Sequence, residues 1–216
     1  EKIENQAFKN CTLLERVEIP DSVKSIYYEA FANCISLTDI TFPEAIESLG
    51  NDILSNTGFY NNSSNWSNGS LYNNKCLVSV DDSVHGTYTI KSGTKQICSG
   101  AFQNATNVSK VVVPSNMTAI TAGAFGMSNI EAVDIPSGVT KIEESAFYGC
   151  KNLEEFIIPE SITYIGRMAF AFCPNLKFIS IPETVKEIAV QAFGYSGLES
   201  VTLPYGVTEI GGQTFY

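Results

Sequence analysis

Hydrophobic positions along the chain recur with a period of about 23 residues. Each unit reads Ile-x-x-x-Ala-Phe-x-x-Cys-x-x-Leu-x-x-Val-x-Ile-Pro-x-x-Val-x-x, with drift. An aliphatic residue opens each unit, and successive openers are 23, 23, 48, 23, 22, 23, 23 and 22 residues apart. The openers are Ile3, Ile26, Leu49, Ile97, Ile120, Ile142, Ile165, Ile188 and Ile210. This regularity predicts a single array of repeats over residues 1–216.

Within a unit, the pattern predicts short strands and tight turns. Apolar residues alternate towards the end of residues 14–19, which is typical of a short strand, and Pro20 ends it because proline cannot donate to a ladder. Val23 and Ile26 lie three residues apart, which fits either a tight turn or a second short strand. The Ala-Phe pairs, such as Ala7-Phe8, are expected in a 3₁₀ or short helical turn with the Phe pointing inward.

One such unit cannot cover its own apolar side, so the units must stack. Stacking buries the apolar residues in columns and pairs the strands in parallel, at about 4.8 Å per rung. An ordinary α/β domain would need helices of about 10–15 residues between strands, and none fits between Pro20 and Phe31. The sequence therefore predicts a right-handed, leucine-rich-type solenoid, with parallel short strands on one face and short turns opposite.

The repeat resembles the BspA-like class of leucine-rich repeats, found in bacterial surface and secreted proteins and in some protozoan surface proteins. It is clearest in IGRMAFAFCPNLKFISIPETVKE, residues 165–187. The resemblance covers essentially the whole chain and implies the solenoid fold. It also implies an extracellular or cell-envelope location and, in some members, adhesion to host or matrix proteins. Such repeats are scaffolds whose ligands differ between proteins.

A long interruption separates Leu49 from Ile97, with about 25 residues more than one repeat needs. Residues 55–70 are rich in Asn and Ser and contain Trp66, the only tryptophan. Residues 71–80 and 86–91 alternate like strands and are joined by residues 81–85, so we expect a loop and a β-hairpin projecting from one rung. Trp66 either contacts a sugar or a protein, or packs onto the hairpin and shields the solenoid edge.

The charge balance excludes several classes of partner. Charged residues make up 17% of the chain, the net charge is −10, and the 13 basic residues are scattered. Nucleic acid and anionic lipid both require clustered Lys and Arg, so neither is an expected partner. No apolar run approaches the 18–20 or so residues that span a bilayer, and no signal peptide is present in this segment. The chain begins and ends within a unit, so we expect the natural array to continue at one or both ends.

The positions of the six cysteines do not indicate a metal site. Cys11, Cys34, Cys150 and Cys173 each follow the Phe of an Ala-Phe pair by three residues, so they share one repeat position. This predicts a column of small buried side chains. The alternative is a bridge between neighbouring rungs, Cys11 with Cys34 or Cys150 with Cys173. With no CxxC and a single histidine, the sequence predicts neither a metal nor a cofactor.

Catalytic chemistry finds little support in the sequence. His85, the only histidine, is expected in the turn of the predicted hairpin, where it is solvated. Asp134 and Glu155 are expected on adjacent rungs and form a possible acid–base pair. An open strand face offers no way to desolvate one carboxylate and raise its pKa, so we predict no enzyme.

The strand face is the candidate binding surface. Residues that flank the inward apolar residue of each strand should point to solvent, in two columns. One column is Arg16, Asp39, Lys110, Ala132, Glu155, Phe178 and Ser200; the other is Glu18, Thr41, Val112, Asp134, Ile157, Ser180 and Thr202. Ile157 and Phe178 stand out as large apolar residues one rung apart. They are either an anchor for a partner, bordered by Asp134, Glu155 and Ser180, or scattered surface hydrophobes.

These observations predict a non-catalytic interaction module of a secreted or cell-surface protein. The expected partner is a protein, such as a host or matrix protein, bound on the strand face in the manner of an adhesin. The alternatives are a structural spacer, a targeting arm of a larger surface protein or enzyme, and glycan binding through residues 55–70.

Overall fold

A computed structural model describes all residues, 1–216, as a parallel-strand β-solenoid of about nine turns with almost no helix. Its interior is one continuous cluster of 50 buried apolar residues that runs through the successive turns. The predicted repeat solenoid is confirmed. Each rung contributes short strands to two parallel ladders, and linked turns form its remaining side.

The first ladder contains the openers, each in a two-residue strand. Ile26 pairs in register with Ile3 on one side and Leu49 on the other, and Ile142 pairs in the same way with Ile120 and Ile165. The second short strand expected near Ile26 is therefore present. These strands are Lys2–Ile3, Ser25–Ile26, Ser48–Leu49, Gln96–Ile97, Ala119–Ile120, Lys141–Ile142, Tyr164–Ile165, Glu187–Ile188 and Glu209–Ile210.

The second ladder forms the strand face. Except for Gly86–Thr89, which no proline follows, its strands end two residues before the repeated proline, as the sequence predicts. The strands are Arg16–Glu18, Asp39–Thr41, Gly86–Thr89, Val108–Val112, Ala132–Asp134, Glu155–Ile157 and Phe178–Ser180. Their central residues pair along the stack, for example Val17 with Ile40 and Phe156 with Ile179. The flanking residues face solvent, which gives the predicted alternation.

The turn side differs from the helical turn expected there. The backbone N–H of Ala30 donates to the carbonyl oxygen of Tyr27, as in a 3₁₀ turn. However, Glu29 and Asn33 have φ angles of 52° and 61°, in the left-handed region, so no continuous helix can form. The segment is instead a chain of β-turns, and its N–H groups also donate to the next rung, as Phe31 does to the carbonyl oxygen of Ile53 at 3.0 Å.

The Ala-Phe residues fill the interior behind these turns. The ring of Phe147 lies 5.2 Å from that of Phe125 and 4.9 Å from that of Phe170, and all three side chains are fully buried. The rings form a column along the solenoid axis, so the predicted inward position of this Phe is confirmed.

The cysteine column is confirmed at Cys34, Cys150 and Cys173, which are buried with free thiols. Each thiol donates to the carbonyl oxygen of the inward Phe in the preceding rung, for example Cys150 to Phe125 at 3.1 Å. Neither alternative bridge is formed, since all six cysteines are free. The prediction is wrong for Cys11, which lies in the first rung and is exposed.

The interruption folds differently from the predicted hairpin. The antiparallel hairpin lies within residues 70–80, between strands Ser70–Asn73 and Cys76–Val80, and it turns at Asn74, whose φ is 53°. Residues 86–89 instead join the strand face, where Tyr88 is buried and pairs with Val111. His85 therefore precedes a solenoid strand and is not in a hairpin turn. In this solenoid strand the side chain of Tyr88 points into the core and is buried, which favours this arrangement over a free-standing hairpin.

The same region contains an additional rung that the spacing of openers does not reveal. Leu77 pairs with Ile97 in the register in which successive openers pair, and the N–H of Cys98 donates to its carbonyl oxygen at 2.9 Å. A short helix, Gly58–Asn61, and a 3₁₀ turn, Ser63–Asn65, precede strand Trp66–Ser67, which lies antiparallel to Ser70–Asn73. The inserted residues therefore combine a decorated loop with a short rung.

Candidate interaction face

The candidate face is built by the alternation of short strands. In Glu155–Ile157 and Phe178–Ser180 the central residue is buried while both neighbours are exposed. A period of two allows no other outcome once Phe156 and Ile179 join the core. The order of residues within each strand thus decides which side chains face solvent.

The two strands pair so that four of the candidate residues meet. Glu155 lies beside Phe178 and Ile157 lies beside Ser180, which places the two apolar residues diagonally across adjacent rungs. Ile157 is 79% exposed and Phe178 is 50% exposed, so neither serves the core. The structure therefore presents an apolar pair framed by one carboxylate and one hydroxyl.

Asp134 lies on the face strand that precedes Glu155–Ile157 along the chain. Its carboxylate accepts from the ammonium of Lys110 at 2.8 Å, diagonally across the pair of strands 108–112 and 132–134. Both side chains are about half-exposed. Asp134 is therefore engaged by a cation of its own sheet, which is separate from the two-stranded sheet that carries Ile157 and Phe178.

An acidic depression adjoins the apolar pair. It encloses about 660 Å³, is open to solvent, and is lined by Glu131, Asn152, Glu154, Glu155 and Asn175. Three carboxylates and two amides make it polar throughout, and Glu155 belongs to both the depression and the border of Phe178. This arrangement can attract cationic groups of a partner to the rim of an apolar contact.

Asp134 and Glu155, the acid–base pair considered from the sequence, lie in different surroundings. Asp134 is held by Lys110, and Glu155 is exposed beside Phe178. His85 is exposed and belongs to a different rung. No group of three or more His, Cys, Asp or Glu side chains lies close enough together to hold a metal ion.

Trp66, the remaining candidate, lies apart from the face. Its indole N–H donates to the carbonyl oxygen of Tyr60 at 2.7 Å, and the two rings meet edge to face at 5.3 Å. Trp66 pairs with Leu71 across the inserted strands and is half-buried. Its polar group is thus used within the insertion, as the packing interpretation of this residue predicts.

Sequence reasoning missed one further exposed set. Met127, Phe172 and Tyr195 stand two residues after the inward Phe, and each is at least 40% exposed. Earlier units have Asn at this position, so the change from polar to apolar residues was a usable signal. These residues lie on the turn side, away from the strand face.

Fold and face together define a leucine-rich-type solenoid with an open sheet surface, a class that is generally non-catalytic. The family model for the BspA type leucine-rich repeat region matches residues 1–82 and 86–216, in six copies. The chain therefore belongs to the BspA-type leucine-rich repeat family, as the repeat pattern had indicated. No curated protein matches the chain.

Two solved structures are similar over almost the whole chain. A leucine-rich cell surface protein from Faecalibacterium prausnitzii is 26% identical over 100% of this chain and 60% of its own, with a TM-score of 0.50. The pneumococcal vaccine antigen PcpA is 20% identical over 98% of this chain and 60% of its own, also with a TM-score of 0.50. The chain thus spans 60% of the length of both structures. No helix has the length and apolar character needed to cross a membrane.

Proposed function

We propose that this chain is a non-catalytic interaction module of a secreted or cell-surface protein, and that its strand face binds a protein partner in the manner of an adhesin. The observation that carries the proposal is the exposure of Ile157 and Phe178 on adjacent rungs of a surface that is mostly polar. A surface location is supported by the similarity to the cell surface protein from Faecalibacterium prausnitzii.

The geometry favours a contact with an apolar centre and an acidic border. Aromatic and aliphatic anchors supply most of the free energy at protein interfaces, while the polar rim excludes water. Phe178 and Ile157 fill the first role, and Glu155, Asp134 and Ser180 fill the second. The carboxylates at Glu131 and Glu154 extend the acidic border, so the fitting partner surface has an apolar projection flanked by Lys or Arg.

The solenoid also favours binding without rearrangement. Strands Glu155–Ile157 and Phe178–Ser180 are fixed by their parallel pairing with each other and by the continuous core beneath them. A preformed surface loses little conformational entropy on binding. A purely structural spacer would have no need for an exposed Phe and an exposed Ile on its sheet, so their exposure favours a binding module over a spacer.

Residues 55–70 are less suited to recognise a glycan than the composition of the loop implies. Trp66 uses its indole N–H on Tyr60, and Asn65 donates its side-chain amide to the carbonyl oxygen of Phe59 at 2.8 Å. The amide of Asn61 is bonded to Asn56. These side chains brace the insertion and so have fewer free groups for a sugar.

The test is to measure binding of the whole chain to an array of extracellular matrix and host cell-surface proteins, with Ile157→Ser/Phe178→Ala as the variant. We expect at least a tenfold loss of affinity for any protein that binds, as for the removal of hot-spot residues. The matched control is Ile35→Ser, which replaces a residue that is 54% exposed outside the face ladder. Equal affinity of the wild type and the double variant would refute the assignment of this face.

A further inference from the structure

The carboxylates of the acidic depression are not neutralised by cations of the chain itself. On this part of the strand face, Lys110 is paired with Asp134 at 2.8 Å and Lys177 with Glu199 at 4.0 Å. No Lys or Arg side chain forms an ion pair with the three carboxylates of the depression, which are Glu131, Glu154 and Glu155. Unpaired carboxylates beside a binding surface attract a cationic partner. The negative charge of the depression is therefore available to a ligand.

The amides of the depression add to its preference for hydrogen-bond donors. The side-chain N–H of Asn152 donates to the carbonyl oxygen of Asn129 at 3.2 Å, and that of Asn175 donates to the carbonyl oxygen of Lys151 at 2.7 Å. The Oδ1 atom of each amide is an acceptor, and an ionised carboxylate offers acceptors only. The depression thus presents mainly acceptors, which a ligand meets best with N–H groups.

An exposed aromatic ring lies directly beside one of these carboxylates. Glu155 and Phe178 are paired residues of adjacent strands, and both side chains face solvent. The two ammonium groups of the chain that lie over aromatic rings contact Tyr27 and Tyr72 instead. The exposed part of the Phe178 ring is therefore open to a group from outside, with a carboxylate next to it.

A metal ion does not suit the depression. No three of its carboxylates lie close enough together to hold a metal ion. They are distributed over two adjacent rungs, since Glu131 directly precedes strand Ala132–Asp134 and Glu154 directly precedes strand Glu155–Ile157. Separate acceptors of this kind fit the spaced donor groups of an organic cation better than they fit a single ion.

Charge argues against a second copy of the chain as the occupant of this face. The chain has a net charge of −10. A symmetric contact through the same surface would bring each acidic depression close to its copy on the other chain. Like charges that meet across an interface disfavour the complex by several kcal/mol or so. The occupant is therefore a different protein with basic groups.

Among basic side chains, arginine fits Phe178 and Glu155 better than lysine. A guanidinium is planar, so it can lie over an aromatic ring and direct two N–H groups to one carboxylate. An ammonium is compact and strongly hydrated, and it lacks this forked geometry. Since the ring and the carboxylate are direct neighbours in the register of the two strands, one guanidinium can reach both.

We propose that the strand face recognises an arginine of its partner, whose guanidinium lies over the ring of Phe178 and bonds the carboxylate of Glu155. Apolar surface of the partner covers Ile157, and further basic groups lie over Glu131 and Glu154. This inference rests on the proposed function, because it specifies the chemistry of the partner of the same face. It requires a partner that exposes an arginine beside an apolar residue.

The test compares two peptides that differ only in their cations. The first is the acetylated and amidated peptide Arg-Ser-Ile-Ser-Arg-Ser-Ile-Ser-Arg, in which Arg and Ile share one side of an extended chain. The second has Lys in place of each Arg, so its charge is the same. Binding to the whole chain is measured by isothermal titration calorimetry at about 150 mM salt, which screens distant charges. We expect the arginine peptide to bind with a dissociation constant below about 1 mM, and at least about fivefold more tightly than the lysine peptide.

Two variants separate the contribution of the ring from that of the carboxylate. Phe178→Leu keeps an apolar side chain but removes the ring, and Glu155→Gln keeps the shape but removes the charge. Each should weaken binding of the arginine peptide at least about fivefold, and Glu155→Gln/Phe178→Leu should bind the two peptides with affinities within about twofold of each other. The control is Glu209→Gln, which removes the same charge from an exposed residue in the ladder of openers. It should change the affinity by less than about twofold.

Equal binding of the two peptides by the wild type, or an arginine preference that survives in Glu155→Gln/Phe178→Leu, would overturn the proposal. So would the absence of binding by both peptides. Failure of the proposed function has a different signature, since it leaves protein binding unchanged in Ile157→Ser/Phe178→Ala. A protein that loses affinity in that variant but not in Glu155→Gln would keep the strand face as the binding surface and overturn only the arginine contact.

Discussion

The side-chain amide of Asn73 takes the place of a strand backbone beside Phe42. Its Oδ1 accepts the backbone N–H of Phe42 at 2.7 Å, and its Nδ2 donates to the carbonyl oxygen of Ile40 at 2.8 Å. Strand Asp39–Thr41 pairs on its other side with Arg16–Glu18, so Asn73 continues the face ladder where the hairpin interrupts it. Asn73 is 2% exposed, and water therefore has little access to these groups.

Replacement of Asn73 by Leu should destabilise the solenoid strongly. The change leaves a buried N–H and a buried carbonyl without partners, at about 1–3 kcal/mol each. We expect the free energy of unfolding, measured by urea denaturation, to fall by about 2–5 kcal/mol. The control is Asn74→Gly, which accepts the left-handed φ of 53° at this position and removes one hydrogen bond of an exposed side chain, to the carbonyl oxygen of Phe42 at 3.0 Å. Similar losses in both variants would contradict the role assigned to Asn73.

The left-handed positions predict opposite effects of two exchanges with glycine. Gln191 has a φ of 56°, so Gln191→Gly relieves about 1–2 kcal/mol of strain, against about 0.5–1 kcal/mol of added chain entropy. We expect the free energy of unfolding to rise by up to about 1 kcal/mol. At the equivalent Gly123, with a φ of 64°, Gly123→Ala should lower it by more than about 1 kcal/mol.

A second variant separates the two causes of the stability loss in Gly123→Ala, which are the backbone conformation and a steric clash. A Cβ there would lie 2.1 Å from Oγ of Ser99, in addition to the unfavourable φ. Ser99→Gly should therefore recover part of the stability lost in Gly123→Ala, but not the part due to the backbone conformation. Full recovery in thermal unfolding of the double variant would show that φ carries no cost.

Truncation of the Phe column should be far more costly than truncation of the strand face. Phe147 is fully buried between Phe125 and Phe170, so Phe147→Ala should lower the free energy of unfolding by about 3–5 kcal/mol. Phe178→Ala, at a half-exposed position, should change it by no more than about 0.5 kcal/mol. Thermal denaturation followed by circular dichroism measures both. A cost at Phe178 comparable with that at Phe147 would make Phe178 a core residue.

Glu143 should make stability depend on pH. Burial raises the pKa of its carboxyl above 4.5, while the backbone N–H of Ala122 and the charge of Lys141 oppose the shift. A raised folded pKa means that ionisation destabilises the fold above that pKa, and that this penalty vanishes below 4.5, where both states are protonated. Glu143→Gln should therefore be more stable than the wild type at pH 7 but not at pH 4.

The neighbouring residue provides a matched control for the change in net charge. Glu144→Gln removes the same charge from an exposed side chain, which is paired with Arg167 at 2.7 Å. It should give no such gain at pH 7. Urea denaturation of both variants across this pH range measures the difference, and equal behaviour would attribute the effect to net charge alone.

The thiols should differ sharply in reactivity. Cys11 is exposed, whereas the other five cysteines are buried. Burial raises the pKa of the Cys34 thiol, and it raises the pKa of the Cys76 thiol to about 12. Reactivity requires an accessible thiolate. We expect an aromatic disulfide reagent to modify one thiol rapidly in the folded chain and six after unfolding. Cys11→Ser should remove the rapid phase, and a rapid phase that survives this change would contradict the assignment.

Periodicity made most of the fold predictable. Openers, inward Phe residues and strand-ending prolines recur at fixed spacing, and each rung buries the same positions because it packs on copies of itself. The exposure of Ile157 and Phe178 followed from a period of two around an inward residue. The cysteine column followed in the same way, except at the exposed Cys11.

The structure of the interruption was less predictable, because its hydrophobic pattern is compatible with two different arrangements of strands. Residues 86–91 alternate as a hairpin strand would, yet alternation fits a solenoid strand equally well. Contact of Tyr88 with Val111 and Phe102 in the core, rather than any local preference, selected the second. The additional opener Leu77 was hidden because the hairpin precedes it and alters the spacing.

The sequence by itself determined the stacking of rungs, the buried columns and the two outward columns of the strand face. These features depend on local periodicity, which is repeated in each of the similar units of the chain. Only the tertiary structure decided where the inserted strands pair and that Asn73 replaces a backbone beside Phe42. Each of these depends on contacts between units that differ from one another, and no repeat pattern encodes them.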